Sequence, residues 1–123
     1  MRKLLRLPVF ASWASWVVMA LATAVAPLVQ AGSNPTNERL MALSSDRQAY
    51  MLGQIAADGC TGRDAFYMGV EKSSGAALWS VRCLDGREFS VMFEPDSDDT
   101  QVLDCPILKA ATNVECFKPL GQQ

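Results

Sequence analysis

The chain has 123 residues, with 11 basic and 13 acidic side chains, four cysteines and no histidine. That length holds one small domain, and the missing imidazole removes Ser-His-Asp and Cys-His machinery, HExxH zinc sites and C-x-x-C-H haem attachment together. A formal net charge of -2 does not suit nucleic acid, whose binding depends on clustered Lys and Arg.

Residues 1–31 read as a secretory signal. Arg2, Lys3 and Arg6 form a basic start, Leu7 to Leu28 carries no charge, and Val29-Gln30-Ala31 supplies the small residues that a signal peptidase needs. Cleavage is expected after Ala31, leaving residues 32–123 as a single domain in the periplasm or outside the cell. The alternative is an uncleaved anchor in the inner membrane, because residues 7–28 are long enough to cross a hydrocarbon core of about 30 Å. Contact with a membrane is expected only if this segment is retained. Loss of the signal leaves eight basic residues against 13 acidic ones, a formal charge of -5, which points away from anionic lipid as well.

Asn34-Pro35 begins a helical region, with Asn as cap and Pro in the first turn. Ser45 followed by Gln48 reads as a second capping box, so the region is one bent helix or two short ones. Between Asp46 and Asp58 the apolar positions Ala49, Leu52, Ile55 and Ala56 share a helical face, Gly59 supplies a left-handed stop, and Cys60 sits just past the end. Thr61-Gly62-Arg63-Asp64 reads as a connection.

After the helix the period changes from 3.6 to 2. Phe66, Met68 and Val70 alternate with Ala65, Tyr67 and Gly69, and Ser73-Ser74-Gly75 turns the chain. Trp79, Val81 and Cys83 share one face of the next strand, with Ser80 and Arg82 on the other. Asp85-Gly86 signals a hairpin whose returning strand turns Phe89, Val91 and Phe93 inward. The expected architecture is α+β: an N-terminal helical region packed on a three-stranded antiparallel meander, with a short C-terminal helix and two disulfides.

Cys60, Cys83, Cys105 and Cys116 are an even set in an exported chain, without the Cys-x-x-Cys spacing of zinc or thioredoxin-like sites. Cys83 points inward and Cys60 ends the helix, so these two are natural partners. Cys105 and Cys116 bracket a segment, Pro106 to Asn113, that suggests one or two helical turns, and a local bridge joins them in the favoured pairing. The alternative ties Cys116 to Cys60 or Cys83.

The run Trp79-Ser80-Val81-Arg82-Cys83-Leu84-Asp85-Gly86-Arg87-Glu88-Phe89-Ser90-Val91, with Val102-Leu103-Asp104-Cys105 and Glu115-Cys116-Phe117, resembles small exported proteins of proteobacteria. That likeness spans most of the chain after the signal and implies export, without an activity. The W-x-V and D-G-x-x-F-x-V fragments are similar to PepSY-like domains, and the hairpin strand is similar to the C-x-x-G-x-x-F-x-V strand of periplasmic inhibitors of C-type lysozyme. Neither supplies a site residue, and the inhibitor barrel needs more strands than this sequence offers.

Glu94, Asp96, Asp98 and Asp99 form the densest charged cluster. A calcium loop starting at Asp96 needs Gly at its sixth position and Glu at its twelfth, where Gln101 and Ile107 stand. The run therefore reads as a solvated loop after the third strand. Tyr67 and Met92 fall on the faces of their strands opposite the core. If the second sheet face is uncovered, Tyr67, Leu78, Leu84 and Met92 form an apolar patch for a protein partner. No catalytic constellation, cofactor or metal is expected. The chain reads as a protein-binding or inhibitor-like module, or, if the anchor is retained, as an accessory subunit of a membrane complex.

Overall fold

A computed structural model describes residues 33–123; the expected signal at residues 1–31 and the alternative anchor at residues 7–28 lie outside the described residues. Asn34 opens α1 (Pro35–Met41), its side-chain oxygen accepting from the Asn37 backbone N–H at 3.2 Å, with Pro35 in the first turn. The Asn34 amide also donates to the Phe93 carbonyl at 2.9 Å, and Trp79 Nε1 donates to Asn37 Oδ1 at 2.7 Å. The cap thus fastens α1 to the sheet.

The helical region is two short helices, because α2 (Ser45–Ala56) starts anew after a turn. The expected Ser45–Gln48 capping box is not formed. Ser44 caps α2 without a side-chain bond, and Gln48 Nε2 reaches back to the Leu40 carbonyl at 3.0 Å, satisfying an acceptor near the end of α1. The inner stripe of α2 is Ala49, Leu52, Gly53 and Ala56, the i, i+3, i+4, i+7 pattern. Ile55, expected on that face, lies a full residue step away and is 38% exposed.

Four strands, not three, form the antiparallel sheet: β1 (Gly62–Val70), β2 (Ala77–Cys83), β3 (Glu88–Phe93) and β4 (Thr100–Asp104), in the order β1-β2-β3-β4. Gly86, at φ 88°, takes the left-handed position in the β2–β3 turn that the Asp-Gly pair signals. The acidic run makes the β3–β4 turn, with the Glu94 N–H donating to the Asp99 carbonyl at 3.3 Å. Thr61-Gly62-Arg63-Asp64 is not a free connection either, since β1 begins at Gly62, opposite Cys83.

The main core lies between the helices and one sheet face, where Leu40, Leu52, Trp79, Val81, Phe89, Val91 and Phe93 are buried around Cys60 and Cys83. Both disulfides follow the favoured pairing, Cys60–Cys83 with Cα atoms 5.2 Å apart and Cys105–Cys116 at 5.8 Å. They suit an oxidising, extracellular compartment. Among the described residues no helix is long and apolar enough to cross a membrane.

The second sheet face is covered too. α3 (Cys105–Thr112) packs on β3 and β4 and ends at Asn113, in the left-handed region at φ 60°. The chain beyond it crosses the sheet toward β1, where Val114 and Leu120 close over Phe66, Met68, Ala76, Leu78 and Met92. Helices, sheet and C-terminal segment make three layers.

At the contact of α2 with β1, two glycines remove the usual spacing between a helix and a strand. A Cβ on Gly62 would stand 1.7 Å from the Ala49 carbonyl oxygen, and one on Gly53 would stand 2.6 Å from the Gly62 nitrogen. Gly62→Ala is therefore expected to push α2 off the sheet and lower stability by about 3 kcal/mol, read from the denaturation midpoint. An unchanged midpoint would mean that the two backbones are not in contact. Cys83→Ser breaks the buried bridge and leaves a hydroxyl in the core, so it should cost about 3 kcal/mol or more in the same assay.

Candidate functional site

The four residues expected to form a partner-binding patch are not brought together. Tyr67 pairs with Trp79 and packs on its ring, centroids 4.9 Å apart, so it belongs to the helix-side core rather than the opposite face. Leu78 is only 4% exposed and Met92 packs beside it, both beneath the C-terminal segment. Leu84 is exposed, at the β2–β3 turn. Of the four, only Leu78 and Met92 share a site, and it is a covered one. All four cysteines are bonded.

Ser80 and Arg82, alternating outward on β2, hold this cover in place. The buried Ser80 hydroxyl accepts from the Phe117 N–H at 3.0 Å and itself donates to the Met68 sulfur. The Phe117 ring lies between Phe66, 6.3 Å away, and the Arg82 guanidinium, 4.6 Å from its centroid. Phe117 has φ 59°, a conformation that a bulky side chain rarely adopts and that these contacts sustain. Arg82 bridges three strands, bonding Glu88 at 2.7 Å and Asp64 at 3.3 Å. The hydrogen bond that Arg82 donates to Glu88 raises the Arg82 pKa most, and the charges of Glu88 and Asp64 add to it.

A clasp closes the C-terminus. Glu115 takes Lys109 at 2.7 Å and Lys118 on its other oxygen, while the Gln123 side chain bonds both backbone groups of Glu115. Hydrogen bonds from the two lysines hold the Glu115 carboxyl at about 2, below its ordinary 4.5.

The open surfaces lie elsewhere. The outer side of α2 exposes Tyr50, Met51 and Ile55, and Met41 is exposed at the end of α1. On the sheet, β4 pairs with β3 in unbroken register from Phe89↔Asp104 to Phe93↔Thr100, and among the described residues its other edge pairs with nothing. Four of its five residues are exposed. Leu103 and, just beyond the strand, Ile107 are the exposed apolar side chains here. A shallow groove of 460 Å³ runs beside the end of β4, lined by Gly86, Arg87, Glu88, Asp104, Pro106 and Ile107.

The opposite edge is treated differently. β1 has register breaks at Gly62/Asp64 and at Tyr67/Gly69, and the closing turn Leu120–Gln122 packs against it. Bulges and covers of this kind blunt an edge, and β4 has neither. β4 escaped sequence reasoning because Val102 is its only apolar residue packed toward the core. The alternation Thr100, Val102, Asp104 against Gln101, Leu103 was its one available signal.

Among the described residues no group of three or more His, Cys, Asp or Glu side chains could hold a metal ion. The carboxylates around the β3–β4 turn are separate charges.

The clasp predicts a pH window. The Glu115 pKa is lower folded than unfolded, so its contribution is complete above about pH 4.5 and is lost as the pH falls toward about 2. Protection factors over residues 113–123, taken relative to the intrinsic exchange rate at each pH, should fall across that window, and Glu115→Gln should flatten the profile; an identical profile in the variant would remove the clasp as its cause. No family model, curated protein or solved structure matches this chain.

Proposed function

We propose that this chain is an exported, periplasmic protein-binding module that docks a partner on the β4 flank of its sheet. One observation carries the reading: an unbulged, uncovered strand edge with Leu103 and Ile107 exposed beside it, on a body held by two disulfides. An open edge offers a row of backbone donors and acceptors to another chain, and a stapled body loses little conformational freedom when it binds. The signal-like N-terminus and the disulfides support an oxidising compartment as the place of action.

The test is intact mass of the protein from separated soluble and membrane fractions of its own cells, without reductant, followed by hydrogen-exchange footprinting of any complex. The expected product begins at Gly32, is lighter by four hydrogens and travels in a stoichiometric complex whose footprint covers β4 and the start of α3. A chain that is monomeric in every fraction would overturn the reading. A chain beginning at Met1 in the membrane fraction would replace it with an anchored accessory subunit.

A further inference from the structure

We infer that the open edge of β4 accepts an extended, cationic polypeptide segment as a fifth strand, an inference that rests on the protein-binding reading above. The edge itself is the first argument. Thr100-Gln101-Val102-Leu103-Asp104 holds no Pro, no Lys and no bulge, the devices by which natural edges refuse a fifth strand. At about 3.3 Å per residue it offers roughly 17 Å of straight pairing surface, enough for about five partner residues.

Charge selects the occupant. From Glu94 to Asp104 the chain carries five carboxylates and no Lys or Arg. Asp64, Asp85, Glu88 and Glu115 are each matched by an arginine or a lysine, whereas among the described residues none of the five around β4 forms an ion pair, nor do Glu38, Asp46, Asp58 and Glu71; what sets the five apart is that they are consecutive carboxylates with no basic residue between them. Asp98 and Asp99 stand just before the strand and Asp104 ends it, so negative charge brackets the pairing surface.

A second copy of this chain is disfavoured on that edge. Antiparallel pairing centred on Val102 places Asp104 of each copy opposite Thr100 of the other, beside its Asp98-Asp99 pair, so carboxylates of both copies gather at each end of the ladder and repel. The same carboxylates attract a strand with basic ends and steer its approach. Strand addition supplies backbone hydrogen bonds, while Leu103 and Ile107 offer apolar contact for alternate side chains. The fitting segment has an apolar, β-prone middle of about five residues between lysines or arginines.

The test measures amide hydrogen exchange of the purified native protein with three peptide probes. One is a Val-Thr repeat flanked by pairs of lysine, the second carries glutamates in place of the lysines, and the third is the lysine peptide with every backbone nitrogen of the Val-Thr repeat methylated, so that neither of its edges can donate. The lysine peptide should slow exchange across Thr100–Asp104 while the other two do not. The triple substitution Asp98→Lys, Asp99→Lys, Asp104→Lys, at exposed positions, should weaken its binding about tenfold or more and admit the glutamate peptide. Equal binding of the lysine and glutamate peptides would overturn the charge selection, and equal binding of the methylated peptide would overturn strand addition. Slow exchange without peptide at those β4 amides that do not bond β3 would show the edge already occupied, by a second copy if it depends on protein concentration and by this chain's own N-terminal segment if it does not; either overturns the inference. No effect of any probe overturns it as well. Protection confined to the outer face of α2 would overturn the β4 site while leaving a protein-binding role to the footprint in native complexes.

Discussion

The backbone of α2 lies directly on the start of β1, and the rest of the fold is arranged around that contact. Gly53 and Gly62 make the approach possible, because either would drive a Cβ into the opposing backbone. Ala49, 1% exposed, is the residue whose backbone Gly62 meets. The Cys60–Cys83 bridge stands at the same corner, since Gly62 pairs with Cys83 across the first two strands. A small domain buries little apolar surface per residue, so a helix pressed this close to its sheet, with a covalent bond at the point of closest approach, makes the most of a modest core. At the far end Asn34 and Asn37 bond Phe93 and Trp79, so the helical layer is fastened at both ends.

The two disulfides hold different layers. Cys60–Cys83 joins helix to sheet within the main core. Cys105–Cys116 joins α3 to the strip that covers the second face, where Val114, Phe117 and Leu120 are too few to hold by burial alone. Ser80 completes that attachment by giving the Phe117 N–H its acceptor in a fully buried place, where an unmade bond is expensive. With one face under helices and the other under this strip, the β4 flank is the part of the sheet left open.

What was legible in the sequence was local. The cap at Asn34, the Asp-Gly hairpin, the inward set Trp79, Val81, Cys83 with Phe89, Val91, Phe93, the short C-terminal helix and both cysteine pairs each depend on neighbours a few residues apart or on one strand pairing. Tyr67 was misplaced because β1 is covered on both sides: Ala65 and Tyr67 face one layer, Phe66 and Met68 the other, so its alternation of apolar with apolar says nothing about which side is the core. The cover over Leu78 and Met92 was invisible because Val114, Phe117 and Leu120 follow no period and lie in a segment turned by Pro119 and a left-handed Phe117. The β4 site was out of reach for a further reason. Being an edge belongs to the strand order of the whole sheet, not to any stretch of residues.

The order of the cysteines along the chain bears on how the protein is made. Cys60 bonds the next cysteine, Cys83, and Cys105 bonds the next, Cys116. A chain that emerges N-terminus first can close Cys60–Cys83 before Cys105 appears, and Cys105 and Cys116 then have only each other. The strands arrive in the order in which they pair, so each can add to the one before it. Such a protein can be oxidised correctly by a simple thiol oxidant as it emerges, without an isomerase to unscramble crossed bonds.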